Sequence, residues 1–144
     1  MKKALAVLLL FVLVLSIPLT SFAYGVSVIV PDQSESTVRK VSTKTLSFRF
    51  EVKNTNPTKA VKYYEVTYYT CDEFYNQNGP TTTDTLKQEI APYETIMSPE
   101  IFLKNAKITS VCAVCIAITG VRYSDGSYEY DSDPSYTRFW WTWK

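Results

Sequence analysis

Hydrophobic and polar positions alternate with a period of two along most of this chain. In TLSFRFEVKN, residues 45–54, Leu46, Phe48, Phe50 and Val52 alternate with Ser47, Arg49, Glu51 and Lys53. That is the pattern of a strand with one buried and one wet face. After the turn-forming run NTNPTK, the chain returns through AVKYYEVTYYTCDEFYN, residues 60–76, which holds five tyrosines and a phenylalanine. Residues i and i+2 of a strand share a face. Tyr64, Val66 and Tyr68 therefore form the more apolar set and predict a core face. Tyr63, Glu65, Thr67, Tyr69 and Cys71 form a mixed set that predicts solvent or a partly covered edge.

The rest of the pattern predicts more strands and no helix. GVSVIV, residues 25–30, reads as a short edge strand that stops at Pro31. NQNGPTTTD reads as a loop, TTTDTLKQEI as a modest strand and APYETIMSPEIFL as an extended segment broken by prolines. From Ile108 to Ile118 the residues are apolar or small on both faces, as in a central strand covered from two sides. Asp125-Gly126 predicts a two-residue hairpin loop of type I′, with Tyr123 and Tyr128 as a cross-strand aromatic pair. After Pro134, TRFWWTWK sets Phe139, Trp141 and Trp143 on one face and Arg138, Trp140 and Thr142 on the other. Seven to eight strands without a helix predict an all-β fold, an antiparallel β-sandwich of immunoglobulin-like type.

The N-terminus carries an address rather than a strand. Lys2 and Lys3 precede an apolar run from Ala4 to Ile17, Pro18 ends it, and Ser21-Phe22-Ala23 offers small residues at the positions a signal peptidase reads. Residues 1–23 thus predict a signal peptide cleaved after Ala23, with residues 24–144 as a single secreted or cell-surface domain. The run is shorter than the ~20 residues a spanning helix needs, and no later stretch is long enough to insert stably in a membrane. Removing the signal and its two lysines from a chain with 15 basic and 14 acidic residues leaves a net charge of −1. Nucleic-acid binding demands a basic footprint, and capture by an anionic membrane surface needs a basic cluster. The composition argues against both.

Candidate chemistry is sparse. The chain has no histidine, which removes Ser-His-Asp and Cys-His catalysis and histidine-ligated metals. Asp72-Glu73 and Asp131-Ser132-Asp133 fall in expected loops and read as solvated turn residues, short of the ligand count of a calcium loop. No cofactor and no metal is expected, and no enzymatic activity. Of the three cysteines, Cys112 and Cys115 stand three apart on a strand, hence on opposite faces. An exported domain permits Cys71 to pair with Cys112 or with Cys115; three reduced thiols acting as small apolar residues is the other reading. Tyr63 and Tyr69 are ligand-binding candidates against a background in which strands favour tyrosine for packing alone. Trp140, opposite the core face of the last strand, is the third: an exposed indole can stack on a sugar or fill a partner's pocket.

KNTNPTKAVKYYEVTYYTCDEF together with ITGVRYSDGSYEYD resembles small secreted bacterial immunoglobulin-like β-sandwich domains of unknown function. Asn54, Asn56, Lys62, Tyr63 and Tyr64 match the Asn-rich turn and strand of that pattern, and Tyr123, Asp125 and Gly126 its final hairpin. The resemblance implies a fold and no chemistry. No cysteine lies in residues 46–52, so the usual inter-sheet bridge of antibody domains is absent. The expectation is a non-catalytic module that binds a protein partner in or outside the cell envelope, with the GVSVIV edge as one docking strand. The alternative is a carbohydrate or cell-wall binding module built on Trp140 and neighbouring tyrosines.

Overall fold

A computed structural model describes residues 25–32, 35–105 and 113–140. Residues 1–23, Cys112, Trp141 and Trp143, which carry several of the expectations above, lie outside the described residues. The strands are β1 (Val28–Ile29), β2 (Ser36–Ser42), β3 (Thr45–Asn54), β4 (Val61–Cys71), β5 (Thr82–Ile90), β6 (Thr95–Met97), β7 (Ile101–Lys104), β8 (Ala113–Tyr123), β9 (Tyr128–Tyr130) and β10 (Thr137–Trp140). Among the described residues, ten strands thus stand where seven to eight were expected. Part of the increase is β2, whose sequence STVRKVS lies almost wholly exposed and so carries little hydrophobic pattern.

Two antiparallel five-stranded sheets form a β-sandwich. In the first, β3 is central, with β2 and β1 along one edge and β7 and β6 along the other. In the second, β8 and β4 form the middle, β5 covers one edge, and β9 and β10 share the other. The core side of β3 is realised as read, with Leu46, Phe48, Phe50 and Val52 buried in the common core, whereas Ser47, expected on the wet side, is buried as well. From the facing sheet come Tyr64, Val66 and Tyr68 of β4 and Val114, Ile116 and Ile118 of β8. Phe48 meets Tyr68 edge-on across the sandwich at 5.0 Å, and Phe50 stacks on Phe139 at 6.4 Å. Such aromatic pairs add stabilisation beyond the area they bury.

Each core tyrosine keeps its hydroxyl satisfied at the rim. Tyr64 donates to Gln88 Oε1 (2.8 Å), Tyr68 to Asp84 Oδ2 (2.7 Å) and Tyr123 to Glu129 Oε2 (2.8 Å). Glu129 in turn accepts from the backbone N–H of Ser27 at 2.7 Å, which anchors the segment just ahead of β1. Of the apolar run GVSVIV only Val28 and Ile29 pair, with Asn54 and Lys53.

The Asn-rich turn, exposed at Pro57 and Thr58, is anchored by an internal joint. The side chain of Asn54 is fully buried. Its Nδ2 donates to the carbonyls of Lys59 (2.9 Å), Ile90 (3.2 Å) and Ala91 (3.1 Å), and its Oδ1 accepts from the N–H of Asn56 (3.0 Å). Asn56 Oδ1 caps the backbone of Thr58 and Lys59 in the same manner, the local mimicry that makes Asn a turn former.

The second hairpin departs from expectation. Gly126 N–H bonds to the Tyr123 carbonyl (3.1 Å), and Tyr123 N–H to Ser127 O (3.0 Å). Only Gly126 in this loop takes the left-handed region, at φ 86°. The connection is therefore a three-residue loop closed by glycine, not a two-residue type I′ turn. That extra residue sets Arg122, not Tyr123, opposite Tyr128. A shift of one residue exchanges faces: Tyr123 is buried in the core and Tyr128 lies on the outer side, so they form no cross-strand pair.

Two outcomes follow from this packing. Asn54→Ala removes two N–H donors shared among three carbonyls and one acceptor of a backbone N–H, and should cost about 3 kcal/mol at roughly 1 kcal/mol per hydrogen-bonding group lost. Asn54→Asp, which turns a carboxylate oxygen toward those carbonyls, should cost more. Urea denaturation with an unchanged slope checks both. Burial pushes the Tyr64 and Tyr68 hydroxyls well above the ordinary phenol range and that of Tyr123 up to about 12. A raised acid pKa stabilises the fold fully below the unfolded value of about 10 and is lost as pH climbs through the folded one. Tyrosinate absorbance should therefore show these phenols ionising late, together with loss of stability between pH 10 and 12.

Candidate binding face

The outward side of the second sheet gathers all three aromatic candidates. The ladder aligns Tyr63 with Arg122 and Tyr128, Glu65 with Gly120 and Tyr130, Tyr69 with Cys115 and Arg138, and Cys71 with Ala113 and Trp140. These residues alternate with those that enter the core, so the face is set by the pleat. Tyr63 and Tyr69 stand six residues apart, roughly 20 Å along the strand, and belong to separate patches.

Around Tyr63 the sheet forms a shallow cleft of about 560 Å³, lined by Tyr63, Glu65, Thr85, Gly120, Arg122 and Tyr128. A bulge creates its floor: Glu65 pairs with Gly120 but Val66 with Ile118, leaving Thr119 as the extra residue of β8. A Cβ on Gly120 would stand 2.6 Å from Tyr128 Oη and 2.7 Å from Glu65 Oε2. Glycine is what lets the Tyr128 hydroxyl and the Glu65 carboxylate meet over the strand, at 3.2 Å. Burial and the Glu65 charge both raise the Tyr128 hydroxyl's pKa. The Arg122 guanidinium lies 5.8 Å from the Tyr128 ring, the Lys62 ammonium 5.7 Å from that of Tyr63, and Tyr130 stacks on Tyr128 at 6.5 Å.

The second patch surrounds Trp140, which is 50% exposed. Tyr75 meets it edge-to-face at 5.3 Å and 89°, and Arg138 lies 5.0 Å from the Tyr75 ring. Tyr75 reaches this position by a left-handed backbone, φ 66°, a conformation that costs a bulky residue on the order of 1–2 kcal/mol. The preceding Asp72 holds it there, accepting at Oδ1 from the N–H of Phe74 and of Asn76, both at 2.9 Å. The Asn76 N–H, first among these bonds, keeps the Asp72 carboxyl below the usual carboxylate range. The same loop leaves Phe74 exposed. Asp72 thus has a structural task that its sequence position alone did not reveal.

Tyr69 takes a different role. It lies half-buried against Tyr136, with ring centroids 5.0 Å apart, over a pocket holding Cys71, Ala113 and Cys115. Between the two patches the face is closed by threonines: Thr67 Oγ1 shares hydrogen bonds with Thr83 (2.9 Å) and Thr119 (3.1 Å). The expected wet side of β4 is therefore partly sealed, with Thr67 and Cys71 buried. Asp131 accepts from the N–H of Asp133 (3.0 Å) in a local turn. Among the described residues no three Cys, Asp or Glu side chains converge in a metal-holding group.

Tyr75, Tyr128, Tyr130, Arg122 and Arg138 are the face residues that sequence reasoning missed. The alternation of Tyr128 and Tyr130 in SYEYD carried that signal, whereas the left-handed turn at Tyr75 left none.

No family model matches the chain, and no curated protein matches it. Among solved structures it is similar to the one described as the X-ray structure of Northeast Structural Genomics Consortium target SoR45. The identity is 11%, covering 78% of this chain and 84% of that one, with a TM-score of 0.45. That likeness is too low to carry anything across.

The geometry makes Trp140 a surface probe. Its emission, obtained as the difference between wild type and Trp140→Phe, should be red-shifted and readily quenched by iodide. Tyr75→Ala, which uncovers one edge of the indole, should increase the quenching further. A blue-shifted, protected difference signal contradicts the exposed patch.

Proposed function

We propose that this protein is an exported, non-catalytic binding module of immunoglobulin-like type, and that its partner is a protein docking on the outer face of the β5-β4-β8-β9/β10 sheet. The carrying observation is two patches of exposed aromatic rings on that one face, each with an arginine: Tyr128 and Tyr130 with Arg122, and Tyr75 and Trp140 with Arg138. Aromatic residues and arginine are the types that dominate protein-binding hot spots. Exposed aromatic patches of this kind mark interaction sites.

Strand order supports the immunoglobulin-like reading. β1/β2, β3 and β6/β7 follow the A-B-E half of such a sandwich, and β5, β4, β8 and β9/β10 the C′-C-F-G half. Against docking by strand addition at β1, only two residues there form a ladder, and Val28 is buried. β5 and β2 are longer edges, but they carry Asp84, Lys87, Glu89, Arg39 and Lys40, the charges with which proteins protect edges from pairing. The perpendicular setting of Trp140 and Tyr75 favours a contoured protein surface over the flat stacking platform of a sugar site. Export rests on the N-terminal segment; among the described residues no helix is long and apolar enough to cross a membrane.

The test is capture from envelope and culture extracts by the immobilised mature domain. Tyr75→Gly with Trp140→Ala, and Tyr128→Ala with Tyr130→Ala, should each reduce retention of a protease-sensitive partner at least tenfold. Phe102→Ala, an exposed aromatic change on the other sheet, should leave it unchanged. All variants should retain the wild-type circular dichroism. Retention of protease-resistant polysaccharide, lost with Trp140→Ala, favours the glycan alternative. Retention indifferent to all face changes overturns the assignment.

A further inference from the structure

We propose that Cys71 and Cys115 are a disulfide-forming pair that staples β4 to β8 beneath the Trp140 patch, with Cys112 taking no part. The two sulfurs lie 3.3 Å apart as thiols, each able to donate to the other. A disulfide bond is about 2.05 Å long, so closure requires an approach of little more than 1 Å. The two strands are direct neighbours, and the side chains share the outer face of the sheet, with Cys71 opposite Ala113 and Cys115 opposite Tyr69. They sit in their own small cluster apart from the main core, roofed by the rings of Tyr69 and Tyr136. Two buried thiols in contact with each other are an uncommon use of a hydrophobic site that Ala or Val would fill, and the bond would join covalently two strands held by the ladder and the Thr67–Thr119 hydrogen bond.

The chemistry balances with an oxidant of the disulfide class, such as an exported chain encounters. A thiolate of one cysteine attacks a sulfur of the oxidant and expels one thiolate, giving a mixed disulfide. The second cysteine, deprotonated, attacks the protein-bound sulfur and expels the other. The protein loses two protons and two electrons, and the oxidant's disulfide becomes two thiols. The folded state opposes the first step. Both sulfurs are out of reach of solvent, and burial, aided by the Cys115 sulfur, holds the Cys71 thiol far above its ordinary range, so its thiolate is scarce at neutral pH. Oxidation therefore precedes closure of the Tyr69–Tyr136 roof, and the same roof afterwards shields the bond from reductants.

The position of the bond gives it a consequence. Cys71 is the last residue of β4, and the next, Asp72, holds the loop that carries Phe74 and Tyr75. The staple spans 44 positions of sequence and ties the base of that loop to the centre of the sheet. Nothing in this depends on what docks on the face, and the test supplies the oxidant directly, so it is also independent of export.

Reduced, urea-unfolded mature protein is refolded with glutathione disulfide, alkylated and analysed by intact mass and peptide mapping. In a parallel arm the reagent is added to protein already folded in the reduced state. The refolding arm should lose two hydrogens, give a Cys71–Cys115 peptide with Cys112 alkylated, and raise Tm by roughly 10 °C over the reduced form. The pre-folded arm should react at least tenfold more slowly. Cys112→Ser should retain the linkage, and Cys71→Ser and Cys115→Ser should each abolish it. A linked peptide containing Cys112, or three alkylated cysteines after oxidative refolding, overturns the pairing. Equal rates in the two arms overturn the order of oxidation before closure.

Discussion

The buried amide of Asn54 is the joint on which the sandwich turns. It ends β3 in one sheet, and its four hydrogen bonds reach the turn leading into β4 and the end of β5 with the residue after it, β4 and β5 both belonging to the other sheet. Two layers that share a hydrophobic core resist separation but are free to slide, since burial is non-directional. A directional contact to fixed carbonyls removes that freedom. Asparagine is the residue for it: the two N–H bonds of its NH₂ group are shared among three carbonyls while the oxygen accepts from a backbone N–H. An unpaired carbonyl in the same place would be costly, so the contact fixes the crossing as well as adding stability.

With the layers fixed, the second sheet must solve a different problem. β8 is buried over nearly its whole length, yet only one of its faces meets the other sheet. Small residues, Ala113, Cys115, Ala117, Thr119 and Gly120, line its outer side and are covered by rings and long side chains leaning over from β4, β9 and the segment ahead of β10. Threonine hydroxyls close the middle, and the bulge at Thr119 restores the register beyond it. The outcome is a face that is half interior: sealed at the backbone, aromatic at the surface. An aromatic surface and a buried thiol pair arise from the same requirement, that a strand apolar on both sides be covered on both.

The tyrosines divide between these two tasks. Tyr64, Tyr68 and Tyr123 fill the core and place their hydroxyls on side chains at the rim. Tyr69 and Tyr136 roof the cysteines, and Tyr63, Tyr75, Tyr128 and Tyr130 remain at the surface. The aromatic density between residues 60 and 76 is therefore both architecture and surface, since a strand delivers successive residues to opposite sides. Asp72 and Gly120 make the surface possible, one by holding a strained turn and the other by offering no side chain.

Much of this was written in the alternation of the chain. The core faces of β3 and β4, the two-sided burial of β8 and the all-β class follow from a period of two, because pleat geometry maps sequence parity directly onto sheet face. The membership of Tyr63, Tyr69 and Trp140 in a common face was not legible, because it depends on which strands pair and in what register. Nor was the edge strand β2, which hides in exposed polar sequence. The three-residue turn at Ser124–Gly126 shows the sensitivity: a single added residue sent Tyr123 to the core and Tyr128 to the surface. The meeting of Cys71 with Cys115 is of the same kind, set by strand pairing between residues 44 apart. Sequence by itself determined which residues share a face within each strand, a local property of the backbone. Tertiary structure alone decided which strands lie side by side and so which side chains meet, because that choice is made by packing and buried hydrogen bonds among residues far apart in the chain.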